Sequence, residues 1–257
     1  MRYRPIDGEP GDPRLGRFQP DDWEHLESYP LMASAIPADP TPVVIGVNWY
    51  REFFEPERDD ATGDYWLAPG GPQTLTRVEG GHCVCLEPGD APDPDDWWRF
   101  YDQGREGACV GFGWSRCMSL LNSELYAARW LWDRAKEIDQ WPETEPGDEN
   151  GTSVRAAADI LCKSGHVDWQ DAYADDNEHT VRDSYKPDAQ NGLKVYRWAR
   201  SVDDVHAALS NDRADTLGAV PVLNSWGPGF PHRTWMPDAV FQRLIDEDGE
   251  IAVPTDA

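Results

Sequence analysis

Asp102-Gln103-Gly104-Arg105-Glu106-Gly107-Ala108-Cys109-Val110-Gly111-Phe112-Gly113 is the stretch that decides how this chain folds. Two glycines allow a tight approach, a Gln stands six residues before a Cys, and the Cys opens an apolar run. Val110, Phe112, Trp114, Cys117, Met118, Leu120 and Leu121 supply the buried surface of a core-facing helix over 109–121. A Cys at a helix N-terminus feels the positive end of the macrodipole, which favours thiolate over thiol. A Gln just upstream can aim its side-chain amide at an oxyanion beside that sulfur. Taken alone, a free Cys is more often a small buried hydrophobe. The surrounding chain has to say which applies to Cys109.

Downstream of that helix the sequence stays helical. Glu124–Gln140 carries Leu125, Ala128, Trp132 and Ala135 at helical spacing and stops before Pro142. After a polar loop over 142–150, Thr152 or Ser153 caps a helix through Val154, Ala157, Ala158, Leu161 and Cys162, ended by Gly165. Residues 166–194 read as a polar, irregular loop. Ser201 caps a short helix, Val202–Leu209, with Asp204 at the capping-box position.

The flanks read as β. Thr41–Tyr50 is β-branched and near-continuously apolar, a strand buried on both faces. Residues 51–79 form loop and short strands. Gly80–Leu86 is a second strand whose alternation puts His82, Val84 and Leu86 on one face and Cys83 and Cys85 on the other. Ala219–Asn224 is a third. Pro237 then starts a helix through Val240, Leu244 and Ile245, and Gly249 ends it before the strand Glu250–Val253. The acidic, proline-rich segment 87–98 joins the β part to the helical part, and extended it reaches on the order of 40 Å. Residues 1–40, rich in Pro, Asp and Glu, read as an arm laid over the surface. The expected fold class is α+β, in one domain over 41–257. Residues 41–98 and 212–257 make mainly a β lobe, and 99–211 mainly a helical lobe.

Composition narrows the function classes. Acids outnumber bases 48 to 23, a net charge of −25, which repels phosphate backbones and anionic lipid. Nucleic acid and membrane are therefore not expected partners. No apolar run approaches the ~18 residues of a membrane span. Five Cys at 83, 85, 109, 117 and 162 make no disulfide framework, and no basic-then-apolar segment opens the chain. A reducing cytoplasm is the expected setting.

Cysteine-based nucleophilic catalysis needs a thiolate, an imidazole to move the proton, a group to orient that imidazole and an oxyanion donor. Cys109, His82, Asn224 and Gln103 each sit on a local framework suited to one of these parts. His82 follows Gly80-Gly81 and begins a strand. Asn224 ends one and precedes Ser225-Trp226-Gly227, so that the Trp226 indole can shield an Asn–His hydrogen bond.

These pieces resemble the papain-like cysteine peptidases. The Gln-Gly and Gly-small-Cys pattern matches Gln103–Cys109 at the same spacing, Gly80–Val84 is similar to the family's Gly-x-His-Ala-Val strand, and Asn224-Ser225-Trp226-Gly227 is its Asn-Ser-Trp-Gly motif unchanged. The resemblance implies a two-lobed fold, a helical lobe and a small antiparallel β lobe, with the active-site cleft between them. It implies Cys109 as nucleophile, His82 as base and acid, Asn224 as orienter, and Gln103 with the Cys109 backbone N–H as oxyanion hole. It implies a peptide or protein substrate and no cofactor. In the family the strand-plus-His block follows the Cys; here residues 41–87 precede it, an order that a transposed segment would produce. Glu106 stands where the family often has a disulfide Cys, and Val110 where it has Trp.

Other readings stand beside this one. His166 lies between Cys109 and Asn224 but follows a helix C-terminus, where an imidazolium caps the dipole. His206 reads as a surface residue of its helix. His82, Cys83 and Cys85 hint at a metal, yet alternation splits them over two faces, so no metal site is expected. The altered order and the missing Trp also fit a catalytically silent papain-like domain that serves as a virion or binding component, with virion proteins as partners. Phage or actinobacterial origin is the setting in which both roles make sense.

Overall fold

The run Val43–Tyr50 forms strand β1, and all but Asn48 of its residues are buried, as a sequence that is apolar on both faces requires. The computed structural model describes residues 40–89, 101–140, 151–169 and 187–256. Nearly all of the expected N-terminal arm, most of the 87–98 connector and the 142–150 loop lie outside the described residues.

In chain order β1 is followed by β2 (Glu57–Arg58), β3 (Tyr65–Trp66), β4 (Val78–Leu86), α1 (Cys109–Asn122), α2 (Ala128–Lys136) and α3 (Val154–Ser164). Then come β5 (Val195–Trp198), α4 (Val202–Leu209), α5 (Asp212–Leu217), β6 (Ala219–Leu223), β7 (Arg233–Pro237), α6 (Asp238–Asp246) and β8 (Glu250–Asp256). The strands form one sheet in the order β2-β3-β7-β6-β4-β1-β8-β5. The fold class is α+β. The β part is larger than the expected small antiparallel lobe: among the described residues it has eight strands, and β3 runs parallel to β7 at Trp66 and Trp235.

The sheet separates two cores. On one face Val44, Cys83 and Cys85 pack against Val110, Trp114, Cys117 and Met118 of α1, with α2 and α3 behind. On the other, Val43, Ile45, Val47, Val84 and Leu86 meet Val205 and Leu209 of α4 and Val240, Phe241 and Leu244 of α6. The period-2 alternation of β4 appears as read from the sequence, because each face meets a different helical layer. Strand β5 extends the sheet beyond β8, and α4 belongs to the second layer.

Several boundaries differ from expectation. The helix expected over Glu124–Gln140 is the shorter α2. Ser123 adopts a left-handed conformation (φ 58°) that ends α1, and residues 125–127 give their backbone to the 167–169 segment. Trp169 N–H donates to the Leu125 carbonyl at 2.8 Å, and Ala127 N–H donates to that of Val167 at 3.0 Å. Ser153, rather than Thr152, caps α3, accepting the Ala156 N–H at 3.0 Å. Cys162 is exposed rather than part of that helix's buried face. Strands β5 and β7 and helix α5 stand where no regular element was expected. β5 is a short edge strand that exposes every second residue, so it lacks an apolar run. Among the described residues no helix is long and apolar enough to cross a membrane.

Candidate active site

Strand β4 is paired along its whole length by β1, but β6 pairs with it only at Cys85↔Leu223 and Leu86↔Val222. Beyond those positions β6 ends, leaving the β4 edge at His82 and Cys83 open to other chain segments. Two arrive there. Residues 101–103 run beside 225–227: Gln103 N–H donates to the Ser225 carbonyl at 2.9 Å and Gly227 N–H to that of Tyr101 at 3.0 Å. The start of α1 is the other, where Cys109 packs in one buried cluster with Cys83, the residue after His82.

Two glycines of the opening motif make this approach possible. A Cβ on Gly113, one turn beyond Cys109, would lie 2.9 Å from the Cys83 sulfur. A Cβ on Gly111 would lie 2.3 Å from the Ala128 carbonyl oxygen. One glycine lets α1 settle on β4; the other lets α2 settle on α1.

His82 and Asn224 are joined, and their proton is placed. Asn224 Oδ1 accepts the Ser225 backbone N–H at 2.7 Å, which identifies that atom as the oxygen. His82 Nε2 lies 2.8 Å from the same oxygen and so must donate to it. The neutral ring therefore carries its hydrogen on Nε2, and Nδ1 is left as a bare, buried lone pair with no hydrogen-bond partner among the described residues. Trp226 stacks on the ring at 4.9 Å between centroids and 24° between planes. Trp49 meets it edge-on at 4.7 Å. Phe54 stacks on Trp226 from outside at 5.2 Å, and Phe230 packs against it at 4.9 Å. Trp226, singled out in the sequence as a shield, is the residue stacked on the ring. Trp49, Phe54 and Phe230 were not singled out, because their link to His82 depends on the β1–β4 register (Val47 opposite His82) and on the turn after Asn224.

Electrostatics depart from the expected thiolate. Burial pushes the Cys109 thiol up to about 11, although the N–H groups of Cys83, Val110 and Cys109 itself pull it back. Burial also pushes His82 down to about 4, against the Asn224 hydrogen bond, which raises it. With Cys109 only 3% exposed, desolvation outweighs the few hydrogen bonds of one helix start, and the resting pair is neutral thiol and neutral imidazole.

Gln103 is fully buried, its Nε2 donating to the Glu106 carbonyl at 3.1 Å. His166 is not a helix-cap imidazolium. It is buried, its Nδ1 accepts the Val167 N–H at 2.8 Å, its Nε2 lies 2.8 Å from Ser115 Oγ, and burial holds it down to about 3. His206 is a partly buried residue of its helix rather than a fully exposed one. Its ring sits between Asp215 at 2.7 Å and Asp238 at 2.9 Å, and although burial opposes it, the two carboxylates raise its pKa overall. Cys83 and Cys85 face away from His82, and among the described residues no three His, Cys, Asp or Glu side chains gather as metal ligands.

No family model matches the chain, and no curated protein matches it. Solved structures similar to it include xylellain, a cysteine protease from Xylella fastidiosa, at 17% identity and a TM-score of 0.48. That similarity covers 67% of this chain and 87% of xylellain.

Proposed function

We propose that this protein is a cysteine peptidase in which Cys109, His82, Asn224 and Gln103 carry the reaction. The observation that carries this is the proton assignment: Asn224 fixes the His82 hydrogen on Nε2 and leaves Nδ1 as a sheltered base, next in the chain to Cys83, which shares a buried cluster with Cys109. A buried lone pair with no partner is costly unless it serves something. Here it takes a proton.

In the proposed reaction His82 Nδ1 accepts the Cys109 S–H proton as the sulfur attacks the scissile carbonyl carbon. The resulting oxyanion accepts hydrogen bonds from Gln103 Nε2 and the Cys109 backbone N–H. The His82 imidazolium then protonates the leaving amine as the C–N bond breaks, giving a thioester. Water, deprotonated by His82, releases the acid and restores the thiol. Because the resting pair is neutral, proton transfer accompanies attack instead of preceding it. The substrates are peptides or proteins. The strand-plus-His block before Cys109 reflects a transposed segment relative to papain-like enzymes, a phage or actinobacterial origin follows from the same resemblance, and a reducing cytoplasm suits five free cysteines.

One observation favours a second reading, a silent papain-like domain used as a virion or binding component: the thiol is buried and pushed up to about 11, unlike a primed nucleophile. The deciding experiment is turnover of a mixed peptide library by wild type and Cys109→Ala. The peptidase reading expects cleavage that disappears in a folded Cys109→Ala and drops by roughly 10²–10⁴ in His82→Ala. Cleavage that survives Cys109→Ala sinks it. No cleavage by either protein leaves the binding-domain reading in possession.

A further inference from the structure

We propose that Arg129 is a positioning residue for the Gln103 amide, a role that rests on the peptidase reading above. Arg129 is the second residue of α2, and its side chain is 6% exposed. A guanidinium withdrawn that far from water needs good partners, so the partners indicate its purpose. Its Nε donates to Glu106 Oε2 at 2.6 Å, and its terminal NH2 nitrogen donates to the Asp102 backbone carbonyl at 3.3 Å. The plane also lies over the Phe112 ring of α1, 5.1 Å from its centroid. One cation thus grips both ends of the turn 102–106 and ties it to α1 and α2.

Gln103 sits inside that grip. Its side-chain Nε2 donates to the Glu106 carbonyl at 3.1 Å, and Glu106 N–H donates back to the Gln103 carbonyl at 3.3 Å. The residue that orients the amide is therefore the residue whose carboxylate Arg129 holds. The rest of the turn is loosely made. Gly104 at its apex has φ +60° with nothing within 4 Å of where a Cβ would be, and its N–H is satisfied by Asp102 Oδ1 at 2.8 Å. Against the fully buried Gln103, Asp102, Gly104 and Arg105 are exposed. A planar fork can bridge a carboxylate and a carbonyl at once; an ammonium is a point charge that cannot hold both in fixed geometry.

An oxyanion donor displaced by about 1 Å costs on the order of 10²-fold in rate. Arg129→Ala should accordingly lower kcat by roughly 10- to 100-fold, within the loss caused by Gln103→Ala itself, and change KM less than about threefold. Arg129→Lys should recover only part of it.

The experiment combines kinetics with NMR of the full chain. The side-chain amide resonance of Gln103, assigned by its loss in Gln103→Ala, should shift or broaden in Arg129→Ala and in Glu106→Gln. The second variant preserves shape and serves if the first does not fold. In the kinetic cycle, Arg129→Ala should add almost nothing to Gln103→Ala, whereas general destabilisation would add in full. Alkylation of Cys109 by iodoacetamide, which forms no oxyanion, should proceed at the wild-type rate. An unmoved Gln103 amide resonance in folded variants overturns the proposal, and so does an additive loss. Turnover that survives Cys109→Ala instead overturns the peptidase reading, and the amide resonance still decides whether Arg129 positions Gln103.

Discussion

In the proposed reaction the surroundings of His82 set the pH range. Burial lowers its pKa from the ordinary 6.5 to about 4, while the Asn224 hydrogen bond opposes that shift. A base that must be neutral to accept a proton works above its pKa and fails below it. The acid limb of kcat/KM is therefore expected near pH 4, about two units below that of an exposed imidazole. Asn224→Ala removes the group that raises the pKa, so its acid limb should move further down while the rate falls, because Nε2–H is no longer held. A limb near pH 6.5 in wild type would show that His82 is not the base. Tryptophan fluorescence must be followed alongside. His82, His166 and His232 are all held neutral by burial, so the unfolded chain takes up protons below about pH 6.5 that the folded chain refuses. Stability therefore declines from that pH downward, and the kinetic limb is meaningful only where the fluorescence still reports a folded chain.

Among the elements, α1 carries the most information, and its two glycines make the sharpest test. Helix interiors normally gain about 1 kcal/mol from Gly→Ala. At Gly111 the new methyl would meet the Ala128 carbonyl at 2.3 Å and the Trp132 Cβ at 2.8 Å, both fixed parts of α2. Overpacking of that kind costs roughly 1–3 kcal/mol or more, so Gly111→Ala should lower the urea midpoint despite its better helix propensity. At Gly113 the nearest atom is the Cys83 sulfur, so destabilisation by Gly113→Ala should be relieved in a Cys83→Ala background. A Gly111→Ala variant as stable as wild type would mean that α1 and α2 do not pack this closely. These glycines also mark what was legible in the sequence. The Cys109 helix, the split faces of β4 and the positions of His82 and Asn224 could be read, because each has a short-range signature: a period, a cap or a four-residue motif. Trp49 on His82 and Arg129 on Glu106 could not. Both contacts join residues 23 or more apart through a register or a helix crossing that no local pattern records. Strand β5 was hidden because an edge strand exposing alternate residues looks like loop. The neutral state of Cys109 was missed for a related reason: the helix dipole can be read locally, while burial is a property of the packed whole.

At the scale of the whole molecule, charge is the dominant unbalanced quantity. If each of the 23 Lys and Arg residues neutralised one acid, 25 of the 48 Asp and Glu residues would still lack a partner (48 − 23 = 25). Among the described residues several ion pairs join separate parts of the fold. Arg213 joins Asp64 from α5 to the loop before β3, Arg233 joins Glu87, and Arg243 joins Glu247 and the Tyr50 hydroxyl. Carboxylates in such excess repel one another when the chain folds, and that repulsion is relieved by unfolding. Salt shortens its reach from about 10 Å at 0.1 M to about 3 Å at 1 M. The melting temperature should therefore rise between 0.1 and 1 M NaCl, by on the order of 5 °C if screening is worth one or two kcal/mol in a chain of this size. Sodium chloride is the right salt, because sulfate would strengthen apolar burial directly and confuse the cause. Charge is also the right variable to change. Replacing several exposed acids by their amides should raise the melting point at 0.1 M and flatten its dependence on salt together. A melting temperature that stays level or falls as chloride rises would mean that the surplus carboxylates lie too far apart to matter, and that the acidity of this chain bears on its partners rather than on its fold.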